Sequence, residues 1–456
     1  MKIGRQDIIW NYAATFLKIG SSVLLLPFIL RMMSTEMVGV WTIFMTITAF
    51  VNMFDFGFNP SFTRNVTSVF SGVKKLQKEG YEEINNKITT IDFGLLKGLI
   101  LSMRWFYVRV SIIIFLFMAT VGTYYIVNVL KKYNGDISEV YISWIVLIIL
   151  NTYRVFTFYY DALLLGKGLV KRSKQIQIIG QSAYLIIASL LIIYGYGLLA
   201  IVSAQSISII IVRLLSHRSF YNLELKNQIR STTAKGKKEV LNAIYPNAIK
   251  VGLTSIGAFL TGRASIIIGS LYLSLDQIAS YGITIQFIAI IAALGGTYLS
   301  TYNPKIVKFQ VEKNNTAIKE LFLKGQILLF LTYLFCGLGL ILLGNWTLNF
   351  IGSKTSLISQ SFIALALIIS FLESNHAMAA SILLTKNEVP FFKAALLSGI
   401  ATIIFLYIFL DLASLGVLAI ILAPGIVQLL YQNWKWPMIV YSDLKISLKD
   451  ILRIIP

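Results

Sequence analysis

Seven ionisable residues and a histidine lie where apolar runs would carry them into hydrocarbon: Lys18, Asp55, Arg154, Asp161, Lys250, Arg263, Glu373 and His376. A charge inside a bilayer is costly, so each is a candidate site. Lys18, Arg154, Lys250 and Arg263 are the deep bases, and deep acids are fewer. Four cations near a midplane need anions, and a phosphate-bearing ligand supplies them. Arginine would hold phosphate through two parallel hydrogen bonds and lysine as a point charge. Ion pairing with Asp55, Asp161 or Glu373, or snorkelling to an interface, would also satisfy the bases.

Spacing adds detail. Arg154 and Asp161 are seven residues apart, which puts them on one helical face but ~10 Å apart along the axis. A water or ligand must bridge them. Lys250 and Arg263 fall on different faces of an ideal helix, and Gly252, Gly257 and Gly262 can bend or unwind it to bring both inward. Glu373 and His376, at i and i+3, share a face. With Asp55 and Asp161 they are the groups able to titrate and couple transport to protons or sodium. Tyr153, Phe156, Phe158, Tyr159 and Tyr160 can stack on sugar rings or pack a core. Asn52, Asn59, Asn151 and Asn375 can bind hydroxyls or join helices.

The elements that position these residues are membrane helices. The 456 residues are 57% hydrophobic and 13% charged, with mean hydropathy +0.75. A soluble domain carries about twice that charged fraction. Runs long enough to span fall at 9–30, 37–58, 106–130, 140–163, 175–194, 197–216, 247–272, 277–299, 325–345, 357–383, 391–410 and 415–440. They are continuous rather than alternating, which excludes a β-barrel. The first run lacks a small-residue cleavage site and reads as a permanent span. Placing both termini in the cytoplasm puts about 28 Lys and Arg inside and about 4 outside. The net charge of +20 is therefore topology rather than a nucleic-acid surface. Anionic headgroups are its passive partner.

The sequence repeats. MSTEMVGVW at 33–41 and LSLDQIASY at 273–281 share apolar-Ser-x-acid-x-apolar-small-x-aromatic. FNPSFTR at 58–64 and YNPKIVK at 302–308 share aromatic-Asn-Pro-x-apolar-x-base. LLGKGLV at 164–170 and LLTKNEV at 383–389 are a weaker pair. The expected architecture is all-α and integral to the membrane, about 12 transmembrane helices in two six-helix bundles related by a parallel repeat. The expected domains are 1–216, a cytoplasmic linker 217–246, 247–440 and a cytoplasmic tail 441–456, with the longer cytoplasmic stretches forming amphipathic helices on the membrane.

Enzyme chemistry finds little support. External loops are short, and the cytoplasmic stretches 64–105 and 217–246 lack a Gly-rich phosphate loop and a metal-spaced acidic pair. A glycan polymerase or transferase would need such features, so no catalytic residue, cofactor or metal is assigned. The one cysteine, Cys336, permits no disulfide and reads as a small buried apolar residue.

The run NYAATFLKIGSSVLLLPFILRMMSTEMVGVWTIF at 11–44, DFGF at 55–58, the NPSFTR turn and GRASIIIGSLYLSLDQIASYGI at 262–283 resemble bacterial polysaccharide flippases of the Wzx group. That group belongs to a superfamily that also holds multidrug/cation antiporters and lipid II flippases. The resemblance implies a V-shaped bundle with a cationic central cavity and alternating access. It implies as substrate an undecaprenyl-pyrophosphate-linked O-antigen repeat unit, moved from cytoplasm to periplasm across the bacterial inner membrane in lipopolysaccharide biosynthesis. A polymerase and a chain-length regulator would be partners. The lumen-lining positions it implies are Lys18, Asp55, Arg154, Asp161, Lys250, Arg263 and Glu373. An ion-coupled multidrug antiporter is the alternative, and its cavity should be acidic.

Overall fold

The computed structural model describes residues 5–73, 91–235, 252–386, 390–447 and 450. The chain folds as α-helices: α1 (Arg5–Met32), α2 (Thr35–Met53), α3 (Phe58–Phe70), α4 (Phe93–Leu130), α5 (Ile137–Phe156), α6 (Tyr159–Gly166), α7 (Val170–Ile193), α8 (Gly197–Phe220) and α9 (Leu223–Ser231). The second half continues with α10 (Gly252–Tyr272), α11 (Leu275–Val311), α12 (Asn315–Phe350), α13 (Gln360–Leu384), α14 (Phe392–Leu412), α15 (Val417–Leu430) and α16 (Gln432–Asp443). Among the described residues, 11 helical segments are long and apolar enough to cross a bilayer, and the end of α1, Val23–Met32, is a shorter apolar stretch. The protein is a multi-pass, all-α membrane protein in two bundles. Cys336 is exposed on the apolar surface of α12 and not buried as expected, because that helix turns its thiol face outward.

Helix starts are written in the sequence. Asp92, Asp136, Asn222 and Asn314 each accept a hydrogen bond from a first-turn amide, of Leu95, Ser138, Leu225 and Ala317. The repeated motif has the same use twice. Ser34 Oγ accepts from the Met37 amide at 3.2 Å, and Ser274 Oγ from the Gln277 amide at 3.3 Å. Gln277 returns a bond from the Ser274 amide to complete a capping box. The repeated aromatics Trp41 and Tyr281 are both buried.

The chain divides into two compact units, Met1–Met33 with Ile47–Ser255, and Ser34–Thr46 with Ile256–Pro456. The first half of α2 thus belongs to the second unit. There Gly39 lies so close to α11 that a Cβ would stand 2.3 Å from the Leu275 carbonyl oxygen. Further along, Thr42 lies against Gly282, its own counterpart in the repeat. Small residues at such crossings let helix backbones approach where burial of apolar area gives little drive. In the same way α10 crosses α14 at Gly257, where a Cβ would meet the Ala395 backbone at 2.3 Å.

Several helices extend beyond the expected spans. α4 starts at Phe93 rather than 106, and α11 and α12 run 37 and 36 residues. α4 and α14 each contain one π-helical turn, Met118–Gly122 and Ile408–Leu412. In α4 this turn puts Gly122 under the Trp144 ring, whose Nε1 donates to Thr123 Oγ1 at 3.0 Å. Of the stretches expected as amphipathic surface helices, 74–90 and 236–251 lie outside the described residues, and α9 is helical.

Candidate functional site

In the first unit two helices break side by side. The α2–α3 break holds Phe56 at φ 46° and Gly57 at φ 70°. Glycine accepts that conformation freely, whereas phenylalanine is strained in it. The Phe56 ring meets Phe54 edge-on at 5.7 Å, and Gly252 lies so near Phe56 that a Cβ would come within 2.6 Å. The α5–α6 break falls at Thr157 and Phe158. A single side chain joins the two: Asn59 Nδ2 donates to the Phe158 carbonyl at 3.0 Å.

Asp55 lies in the first break. Its Oδ1 accepts from the Tyr107 hydroxyl at 2.6 Å and its Oδ2 from the Asn59 amide at 3.2 Å. Asp161, just past the second break, pairs with Arg213 of α8 at 2.8 Å. The Arg213 side chain is 8% exposed and that of Asp161 33%. Arg154 and Asp161, expected on one face with a water or ligand between them, are separated by the break at Thr157 and Phe158, and Arg213 takes the carboxylate. Arg154 is half-buried and makes no salt bridge or side-chain hydrogen bond among the described residues, while Asp161 and Arg213 are the charges acting on it. This cluster holds two acids and two bases, so it is balanced rather than cationic.

In the second unit the charges stand apart. Arg263 sits where α10 breaks, with φ −129° and ψ −23°. It is exposed, and its side chain has no ion pair or hydrogen bond among the described residues. The glycines expected to bend α10 act otherwise: Gly252 and Gly257 are close-approach points, Gly262 faces open space, and the break comes at Arg263. Glu373 of α13 is half-buried and makes no ion pair or hydrogen bond among the described residues. Arg263 and Glu373 both act on Tyr281, whose hydroxyl donates to the Ile420 carbonyl at 3.3 Å.

His376 does not share its bonding with Glu373. Its Nδ1 lies 2.8 Å from Asn433 Oδ1 of α16. Beside it Asn375 Oδ1 accepts from Gln326 Nε2 at 2.8 Å, and Gln326 Oε1 accepts from the Tyr441 hydroxyl at 2.9 Å. These amides join helices, as do Asn59 and Asn151, the latter reaching Thr48 at 3.4 Å. The side chain of Lys18 and all of Lys250 lie outside the described residues.

Two residues of these clusters were not singled out from the sequence: Arg213 and Tyr107. Arg213 had a signal, being a base inside the apolar run 197–216. Tyr107 had none, since one tyrosine among 23 does not announce a carboxylate partner.

No family model matches the sequence, and no curated protein sequence matches it. Solved structures do. An inward-facing multidrug resistance MATE family transporter of the MOP superfamily aligns at TM-score 0.64 and 13% identity, over 97% of this chain and 95% of that one. The lipid II flippase MurJ, in an inward closed conformation, aligns at TM-score 0.64 and 13% identity, over 98% and 89%. The chain has the fold of these transporters. The MATE multidrug transporter DinF-BH aligns at TM-score 0.59 and 16% identity, over 99% and 97%. At such identities the likeness establishes fold and leaves the cargo open.

Proposed function

We propose that the chain is a flippase for a lipid-linked oligosaccharide, moving an undecaprenyl-pyrophosphate-linked repeat unit of an O-antigen type from the cytoplasmic to the periplasmic leaflet of a bacterial inner membrane. The observation that carries this reading is a pair of arginines inside spanning segments, Arg154 in the first unit and Arg263 in the second, each without an ion pair among the described residues. A guanidinium in a spanning segment is costly unless an anion meets it, and diphosphate does so through two parallel bonds. Lys18 and Lys250 are proposed to add charge to the same task. The fold is shared with a lipid II flippase as well as with multidrug transporters, which supports a transport reading. We place the termini in the cytoplasm, a reading supported by the bias of basic residues. A polymerase and a chain-length regulator would act on the product.

Glu373 favours an added element. A carboxylate in a spanning helix with no partner among the described residues suits a reversible cation or proton site, so we assign it ion coupling, with Asp55, Asp161 and His376 as further candidates. The same residue supports the multidrug antiporter as second reading. The deciding experiment is deletion of the gene followed by analysis of prenyl-linked saccharides in the cell. Accumulation of a diphosphate-linked saccharide on the cytoplasmic side is expected. An unchanged saccharide pool combined with new sensitivity to cationic dyes would favour the antiporter.

A further inference from the structure

The first unit carries a second polar assembly, apart from the charged residues described above. α4 is 38 residues long, or ~57 Å at ~1.5 Å per residue, nearly twice the ~30 Å hydrocarbon thickness. Counting ~20 residues back from Leu130 reaches the region of Val110, which leaves Arg104 at the edge of the bilayer. Arg104 is exposed there. Its Nε donates to the Tyr159 hydroxyl at 3.3 Å, and its guanidinium carbon lies 5.6 Å from the centre of that ring. The terminal nitrogens make no hydrogen bond or ion pair among the described residues.

Behind Arg104 the rings form a continuous row. Tyr159 stacks on Tyr160 at 4.4 Å, and both are buried. The Tyr160 hydroxyl lies 3.0 Å from His217 Nδ1, and the His217 ring lies 4.8 Å from that of Tyr221. His217 is exposed and Tyr221 half-buried. Arg104 is near enough for its charge to act on both, and Lys226 of α9 adds a second cation beside His217. Two buried rings thus hold the Arg104 fork and the His217–Tyr221 ring pair in fixed relation.

We propose that this is a docking site for a saccharide carrying a diphosphate, held at the membrane surface before it is moved. The free guanidinium nitrogens take phosphate oxygens in the bidentate geometry that lysine cannot supply. The Tyr221 ring, with His217 beside it, offers a stacking face to the C–H side of the adjacent sugar. The row fixes in place an exposed arginine whose terminal nitrogens are unengaged among the described residues. The substrate class rests on the function proposed above, while the site itself stands on this geometry.

The test is direct binding by calorimetry to the full chain in nanodiscs of zwitterionic lipid. The probes are a ten-carbon prenyl diphosphate carrying N-acetylglucosamine, inorganic pyrophosphate, and the same discs doped with phosphatidylglycerol. Arg104→Gln should weaken both phosphate probes about tenfold, the loss of one charge-assisted bidentate contact. Tyr221→Leu should weaken the glycosyl probe severalfold and leave pyrophosphate unchanged, while Tyr221→Phe binds as wild type. Wild-type affinity in Arg104→Gln overturns the proposal, as does loss of probe binding on adding phosphatidylglycerol, which marks a lipid headgroup site. Binding is read directly, so a wild-type chain that transports no lipid-linked saccharide would remove the proposed function without altering this readout.

Discussion

The two units treat similar material differently. In the first repeat, the helix that opens with the Ser34 cap breaks after Met53, and Asp55 lies in the break. In the second, the helix that opens with the Ser274 cap runs unbroken to Val311, and the matching Asn-Pro pair sits inside it. The first unit gathers charge around its broken helices and satisfies most of it through Tyr107, Asn59 and Arg213. The second breaks at Arg263 instead and leaves Arg263 and Glu373 without partners among the described residues. Ion pairs among its described residues, Lys308–Glu312, Lys319–Asp450, Lys324–Glu320 and Lys386–Asp443, lie toward helix ends. A paired charge holds helices together, whereas an unpaired one is available to a passenger. The paired group should matter to folding and the unpaired group to transport.

The largest stability effect should come from splitting the one deep ion pair among the described residues. Asp161→Ala strands Arg213, whose Nε already lacks a partner. Loss of one member of a buried pair costs roughly 3–5 kcal/mol, and the partial exposure of Asp161 brings this to about 2–3 kcal/mol. Thermal unfolding in detergent checks it, and Asp161→Ala with Arg213→Met should recover most of the loss. Next comes helix approach. Gly257→Ala forces a methyl into the Ala395 backbone and should cost about 1–3 kcal/mol, whereas Gly262→Ala, facing open space, should be close to neutral. Smaller still, Tyr107→Phe removes one bond to Asp55 and should lower stability by about 1 kcal/mol. Glu373→Gln should leave the melting temperature unchanged or raise it slightly while transport loses its ion dependence. A clear fall in melting temperature would end the contrast between the units.

The weakest expected effect is electrostatic and local. The segment after α9 lies on the start of α4: the Lys235 amide donates to the Gly94 carbonyl at 3.0 Å and Lys97 Nζ to the Thr232 carbonyl at 2.7 Å. Burial works against the Asp92 charge there, but the Leu95 amide and Lys235 outweigh it and hold the carboxyl below its ordinary value. A depressed carboxyl stabilises the folded state above its ordinary pKa, and that contribution is lost as pH falls through the folded value. Proteolysis near residue 235 should therefore rise only below the ordinary carboxylate range. A rise on alkalinisation would contradict the sign.

The spans were legible because an unbroken apolar run of bilayer length suits little besides a bilayer. The repeated serines were legible because a helix cap has a fixed spacing from the amides it satisfies. The breaks were less so. Gly57 and the following Asn-Pro pair mark the first, but nothing in Tyr153–Tyr160 marks the second, since no glycine or proline interrupts it. That unmarked break falls between Arg154 and Asp161, which an ideal helix would have put on one face two turns apart. Arg213 escaped notice because its neighbours, a run of isoleucines, make the segment read as lipid-facing. Which acid a buried base meets depends on helix packing, which apolar periodicity does not encode.

The central claim is that Arg263, at a helix break and unpaired among the described residues, serves a negatively charged passenger. The most direct measurement is flipping of a fluorescent prenyl-diphosphate saccharide in vesicles holding purified chain, read by a membrane-impermeant quencher. Arg263→Gln should retain the wild-type melting temperature and flip at less than about a tenth of the wild-type rate. Wild-type flipping by a stably folded Arg263→Gln chain would contradict the account.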